Sequence, residues 1–406
     1  MKLRTAAVVL ALNTIALCPL RGQDTTVLLR PPAPDTGYVE YHDSPVSLPL
    51  GLGLRVPSYD RVNGVVLPWG PKLEMGDGRL DVDGLVTYRS NLGKWDPSLE
   101  GVIRPGDSQE LSFYVGRGTF TNDSWIRSKV DNSVTVLLAG SDARNWYRSD
   151  RASARFEGTI TGTGASLTPF IAGNFERDWS TGSLAPTKSP WSFYGRTDDL
   201  RMRRPNPPVY KGSISSILGG AGFLAVSGGL DARLDATVER SLRITKPDCI
   251  ATPGGLFCPV LDNFTQLTLD GKTTFPTFGT QTFMFQAHAI FTGGGILPQR
   301  FGYVGGSGTL PTVDLLRLGG DHLLFFGTEY KIPIDQISIP YIGNPYFSLR
   351  YAAGNAGVDG LPTLIQNLGV SLGVALLRID YSLDPASTRS PFSRRSVFSA
   401  SLSLSP

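Results

Sequence analysis

Between Leu230 and Arg240 the chain reads LDARLDATVER, and its apolar and polar residues separate by parity. Leu230, Ala232, Leu234, Ala236 and Val238 fall on one side of an extended chain, while Asp231, Arg233, Asp235, Thr237 and Glu239 fall on the other. Successive side chains of a strand point to opposite faces, so this two-residue period predicts a strand with one oily flank and one wet flank. The same period recurs at 80–88, 154–160, 267–275, 283–291, 324–332 and 398–404. Residues 131–150 fit a strand and an interfacial helix equally well. Residues 179–211, rich in Pro, Ser and Arg, read as one long surface loop.

Strands that all keep an apolar flank opposite one of Ser, Gly, Thr and paired charge predict an all-β fold, a transmembrane antiparallel β-barrel around an aqueous lumen. A secreted sandwich or propeller also alternates, but its second face would bury fewer polar residues. Tyr59, Trp69, Trp95, Trp146, Tyr147, Tyr194, Tyr346 and Tyr351 lie near predicted strand ends, where an interfacial aromatic girdle would place them.

Composition narrows the class. The chain has 406 residues with 47 Gly, 30 Pro and 41% hydrophobic residues. No internal run reaches the roughly 18 apolar residues of a membrane-spanning helix, which argues against a helical membrane protein. Residues 1–23 have basic Lys2 and Arg4, an apolar stretch over 6–20 and then Arg21-Gly22-Gln23, the layout of a cleaved secretory signal. Bulky Leu17 before Cys18 argues against a lipidation site. Removing Lys2, Arg4 and Arg21 brings the 38 basic residues to 35, equal to the 35 acidic ones. The positive excess therefore belongs to the signal, and no nucleic-acid partner is implied. Residues 24–52 read as a Pro-rich periplasmic lead-in, without room for a folded recruiting domain, and 53–406 as the barrel. At about 22 residues per strand with its share of turn, the remaining chain gives about 16 strands, with 14 the alternative.

Candidate chemistry is sparse. Cys249 and Cys258, in PDCIATPGGLFCP, are expected to close a small disulfide loop after export to an oxidising compartment. His42, His288 and His322 are too dispersed for a metal cluster, so neither metal nor cofactor is expected, and no catalytic constellation points to an enzyme. The glycine runs at 293–295 and 305–308 lack the following Lys-Ser/Thr of a phosphate-binding loop and read as loop glycines. Asp231, Arg233, Asp235 and Glu239 are expected to face the lumen, either bracing the wall across neighbouring strands or setting ion preference.

One stretch carries a resemblance. Residues 298–334, PQRFGYVGGSGTLPTVDLLRLGGDHLLFFGTEYKIPI, resemble the C-terminal barrel of the Omp85 superfamily, the BamA/TamA-like or bacterial surface antigen D15 domain. Gly305 and Gly306 match the glycine pair that precedes the family's arginine-glycine-aromatic element in a loop carried into the lumen. Glu329, Tyr330, Lys331, Ile332 and Pro333 match the strand that follows. The closing segments LGVSLGVALLRIDYSLD and RRSVFSASLSLS, with Arg378, Asp380 and Tyr381, are also similar, as is SYDRVNGVVLPWG at the start of the barrel. Where the family has its arginine element this chain has Pro311, Thr312 and Val313, leaving Arg300 and Arg317 as stand-ins. The resemblance implies a non-enzymatic barrel in the bacterial outer membrane, in contact with its lipid and acting in protein assembly or translocation. Its partners would be nascent outer-membrane proteins or periplasmic recruiting factors. A passive channel for small solutes is the alternative.

Overall fold

The computed structural model describes residues 46–402 apart from 182–190, 194–203, 246–249, 253–254, 258–260, 338, 340–343, 375–376 and 387–392. Nineteen strands join in one sheet, and every pairing in it is antiparallel. From Leu80–Arg89 onward each long strand pairs with the next along the chain, through Ala165–Trp179, Gly212–Ser227, Leu230–Ile244, Phe264–Pro276 and Thr282–Gly294 to His322–Pro333. Tyr346–Gly357, Ile365–Val374, Leu377–Leu383 and Ser396–Leu402 complete the run. Three wall strands are interrupted: Val46–Ser47 with Ser58–Asp60, Gly64–Trp69 with Lys72–Met75, and Tyr147–Gly158 with Ile160–Gly162. Among the described residues sheet pairing begins at Val46. Among the described residues no ladder joins Ser396–Leu402 to the first strands.

The two flanks of the wall differ as the parity predicts. Val115, Ile171, Leu234, Val238, Leu349, Leu372 and Phe398 stand exposed, Ile171 at 63%. Glu176, Glu239, Ser371, Asp380 and Ser382, of opposite parity on the same or neighbouring strands, are buried. Apolar side chains outside and polar ones inside is the reverse of a water-soluble protein, and is the order an antiparallel transmembrane barrel needs. No helix among the described residues is long and apolar enough to cross a membrane, a statement that does not bear on strands.

One end of the wall carries tight turns, at 107–108 and 228–229, and the other carries the long connections 121–146, 180–211 and 295–321. The ambiguous stretch 131–150 divides between two elements. Lys129–Ala139 is a helix, capped by the Ser128 side chain accepting from the Asp131 backbone N–H and ended by Gly140 at φ 68°, and strand resumes at Tyr147. Trp69 and Trp95 are exposed, as a girdle requires, whereas Tyr59 and Tyr147 are buried. Parity and position near a strand end cannot tell those two placements apart.

The apolar core lies inside the wall at the long-loop end. Ile290, Leu323, Phe325, Ala352, Ala356 and Ile365 from the strands and their ends pack against Val304, Leu310 and Val313 of the 295–321 connection, with Trp125 alongside. Strand His322–Pro333 is thus apolar on both flanks over Leu323 to Phe326, because a folded-in loop replaces water on its inner face.

Candidate functional site

The connection 295–321 leaves strand Thr282–Gly294, makes a single 3-10 turn over Pro298–Arg300 and a two-stranded ribbon of Gly302–Val304 with Leu318–Gly320, and returns into His322–Pro333. Its tip is held in shape by Gly305 and Gly306, at φ 125° and 85°, a region that disfavours any side chain. The Gly306 N–H donates to the carbonyls of Leu310 (3.0 Å) and Val313 (2.9 Å), and a Cβ on Gly305 would sit 2.3 Å from the Asp314 carbonyl oxygen. The glycine pair predicted from sequence is the pivot that folds 305–317 back on itself.

Arg300 fixes this connection to the wall. Its Nε donates to Glu239 Oε2 at 3.0 Å and its Nη2 to Glu239 Oε1 at 3.0 Å, while Nη2 also pairs with Glu176. Glu176 and Glu239 project inward from Ala165–Trp179 and Leu230–Ile244, so one guanidinium spans two strands separated by a third. Burial works against the charge on Arg300, yet the two carboxylates hold it well above the ordinary arginine pKa. Each carboxylate has further donors: Ser216 Oγ on Glu239 at 2.7 Å, and Arg151 Nη2 on Glu176 at 2.9 Å. The neighbouring Gln299 donates to Asp178 at 3.3 Å, and Gln266 donates to the Arg300 carbonyl at 3.0 Å. Beneath the turn lies a cavity of about 310 Å³ lined by Ser124, Arg151, Glu239, His288 and Arg300 among others.

Two other connections complete the plug. From 121–146, Arg127 Nη2 donates to the Ser307 carbonyl at 2.9 Å, Asn122 donates to the Gln299 carbonyl, and Trp125 stacks on His288 with ring centroids 4.1 Å apart. The same connection reaches the first strands: Ser133 Oγ accepts from the Tyr59 N–H at 3.1 Å, and Asp142 accepts from the Arg61 N–H at 3.3 Å. On the opposite side Thr312 bonds Ser393 Oγ at 3.0 Å, the Arg394 N–H donates to the Thr312 carbonyl at 2.8 Å, and Arg394 pairs with Asp314 at 2.7 Å.

The remaining sequence candidates fall in different places. Glu329 faces inward and pairs with Arg378 at 3.0 Å, which also holds Asp380 at 2.6 Å, so three residues quoted for the resemblance form one buried cluster with Arg350. Lys331 sits over the Tyr346 ring at 4.3 Å. Tyr330 has the opposite parity and bonds Gln281 beyond the strand end. Of the charges on LDARLDATVER, Arg233 and Asp235 pair with each other at 2.6 Å, Asp231 is exposed, and only Glu239 joins the Arg300 site. Arg317, the other stand-in, is exposed. Cys249 and Cys258 lie outside the described residues. Sequence reading did not single out Glu176, Gln299 or the 121–146 connection. The available signal was the inner-face run Leu323 and Phe325, apolar where a water-filled lumen would want polar residues.

The polar interior, lipid-ready exterior and inward-folded loop define the class as a transmembrane β-barrel with a self-plugged lumen. Among solved structures the chain is similar to BamA from Haemophilus ducreyi lacking POTRA domains 1–3, at 11% identity over 86% of this chain and 69% of that one, with a TM-score of 0.51. CdiB from Escherichia coli matches at 10% identity over 88% and 62%, TM-score 0.47, and CdiB from Acinetobacter baumannii at 13% over 85% and 58%, TM-score 0.42. The chain spans about three fifths of each CdiB chain. No protein-family model and no curated protein sequence matches it. The chain thus shares the fold of the BamA barrel.

Proposed function

We propose that this chain is an Omp85-type outer-membrane barrel that acts in the assembly or translocation of other proteins at the bacterial outer membrane, without enzymatic chemistry of its own. The observation that carries the reading is Arg300 on Glu176 and Glu239: an arginine of the inward-folded loop gripping acidic residues of the wall, in a loop entering the strand that holds Glu329. The chain departs from the resemblance in where that arginine sits, before Gly305 and Gly306 and not after them. It keeps the role. With each interrupted strand counted once, the nineteen strands reduce to sixteen wall elements, and the plug loop then lies between the eleventh and the twelfth.

The physical step is strand templating. Ser396–Leu402 has a ladder partner on one side only among the described residues, and an unpaired edge can accept an incoming strand through backbone hydrogen bonds. The partners on this reading are unfolded outer-membrane proteins, with periplasmic recruiting factors delivering them. A photo-crosslinking residue in place of Ser399 is the test. Adducts with newly exported barrel proteins are expected in cells, and their absence while the same residue in place of Phe398 crosslinks to lipid overturns the assignment.

The passive channel is the second reading, favoured by the cavity under Arg300. It calls for steady conductance in planar bilayers from the unmodified protein, whereas the assembly reading has the plug keep that conductance low.

A further inference from the structure

The outward flank of three neighbouring strands changes character at the long-loop end. Arg177 on Ala165–Trp179, and Arg240 and Arg243 on Leu230–Ile244, are exposed there, with exposed Lys211 just before Gly212–Ser227. Register places them together. Phe175 lies opposite Ser215 and Ser215 opposite Arg243, while Ile217 lies opposite Arg240, and all of these share the outer parity. A register shift at Ser215/Ser216 adds a residue to the facing strand, so Leu242 and Arg243 both stand exposed. Directly below, toward the middle of the wall, come exposed Ile171, Phe175, Ile217 and Val238.

Among the described residues none of these four bases forms a salt bridge; Arg240 donates to Thr265 Oγ1, at 2.6 Å. Asp150 lies opposite Arg177 in register, but its two oxygens are taken by Arg117 through hydrogen bonds of 2.6 and 2.9 Å. Along the register from Arg240 come Thr265 and Gly293, and from Val238 come Leu267, Phe291 and His322, none of them a permanent cation. The cluster is therefore local and is not a belt around the barrel.

Guanidinium groups without a salt bridge at the rim of an apolar wall suit one kind of neighbour: a headgroup whose phosphate oxygens accept forked N–H donors while its acyl chains lie along the apolar side chains beneath. We propose that this patch binds a phosphorylated lipid headgroup of the outer leaflet, with Arg177, Arg240 and Arg243 as phosphate donors and Phe175, Ile217 and Leu242 under the acyl chains. The inference rests on the outer-membrane reading for its leaflet, not on the assembly role.

The test is native mass spectrometry of the full chain refolded in detergent and titrated with lipid A bearing two phosphates. Each arginine near an anionic lipid surface is worth about fivefold in affinity, so combined Arg177→Gln, Arg240→Gln and Arg243→Gln should weaken binding roughly 100-fold. The same glycolipid stripped of phosphate should bind the native chain and the triple variant alike. The corresponding Arg→Lys variant keeps the charge and should stay within about fivefold of the native chain, which holds the test open if the glutamine variant does not refold. Binding by the triple glutamine variant within about twofold of the native chain overturns the proposal. So does displacement of the lipid by millimolar inorganic phosphate, which would make this a free-phosphate site. If the assembly role is wrong, crosslinking at position 399 fails while lipid binding persists. If the lipid site is wrong, the reverse holds.

Discussion

Replacing Arg300 with methionine keeps much of the side-chain volume and removes the charge that joins the loop to two strands. In the native protein Arg300 is 7% exposed and its guanidinium answers both Glu176 and Glu239. Without it, Glu176 retains Arg151, but Glu239 is left a buried carboxylate with the Ser216 hydroxyl as its remaining donor. Breaking a buried ion pair from one side costs about 3–5 kcal/mol, because the stranded charge has lost both partner and water. The assay is equilibrium urea unfolding from lipid vesicles, followed by tryptophan fluorescence. Adding Glu239→Gln to Arg300→Met removes the stranded charge and should restore about 2 kcal/mol or more, a coupling that independent sites would not show. Raising the salt should leave the loss nearly unchanged, since the site is buried from mobile ions. A cost under about 1 kcal/mol for Arg300→Met, or no recovery in the double variant, would refute the view that this arginine secures the plug.

Three further outcomes are expected. Burial pushes the Asp123 carboxyl up to about 7 from an ordinary 3.8, against a backbone N–H from Asn145 and the pull of Arg204, so the folded loop prefers it protonated. Its contribution is full below 3.8 and is lost as pH rises to about 7; the amides of the 121–146 connection should show lower protection, relative to the intrinsic exchange rate at each pH, at pH 8 than at pH 5, and Asp123→Asn should flatten that difference. Gly305→Ala meets both a positive φ and the Asp314 carbonyl, and should destabilise by at least about 1–3 kcal/mol in the urea assay, whereas Gly279→Ala in an open turn meets only the backbone penalty. Ile171→Lys puts a charge on the exposed flank in mid-strand and should cost about 2–4 kcal/mol for folding into vesicles, while Thr168→Lys, of inward parity, should cost far less. Equal costs would invalidate the assignment of flanks.

Much of the wall was legible because its signal is local. Parity alone separates Leu234 and Val238 from Asp235 and Glu239, and turn residues mark where strands end. What parity lacks is any knowledge of what covers the inner flank. Tyr59 and Tyr147 sit near strand ends like Trp69 and Trp95, yet the first two are covered by the 121–146 and 180–211 connections and by the plug. Arg300 and Arg317 are equivalent by sequence as replacements for the missing arginine. They are told apart by which lies within reach of Glu176 and Glu239, residues 124 and 61 positions away along the chain. The helix at Lys129–Ala139 was undecidable because its buried residues, Asp131, Asn132, Thr135 and Val136, are mostly polar and it packs on Ser58–Asp60, so that tertiary contacts, not an amphipathic period, select its conformation.

The segment 305–317 is hydrogen-bonded to the residues just ahead of the last strand through Ser393 and Arg394. One connection removed, through Arg127, Ser133 and Asp142, it is bonded to the first. Drawing the stopper outward therefore pulls on both borders of the sheet in a single motion. The stopper and the two borders of the sheet are thereby tied along one hydrogen-bonded path, and a displacement of the first strains its ties to both of the others.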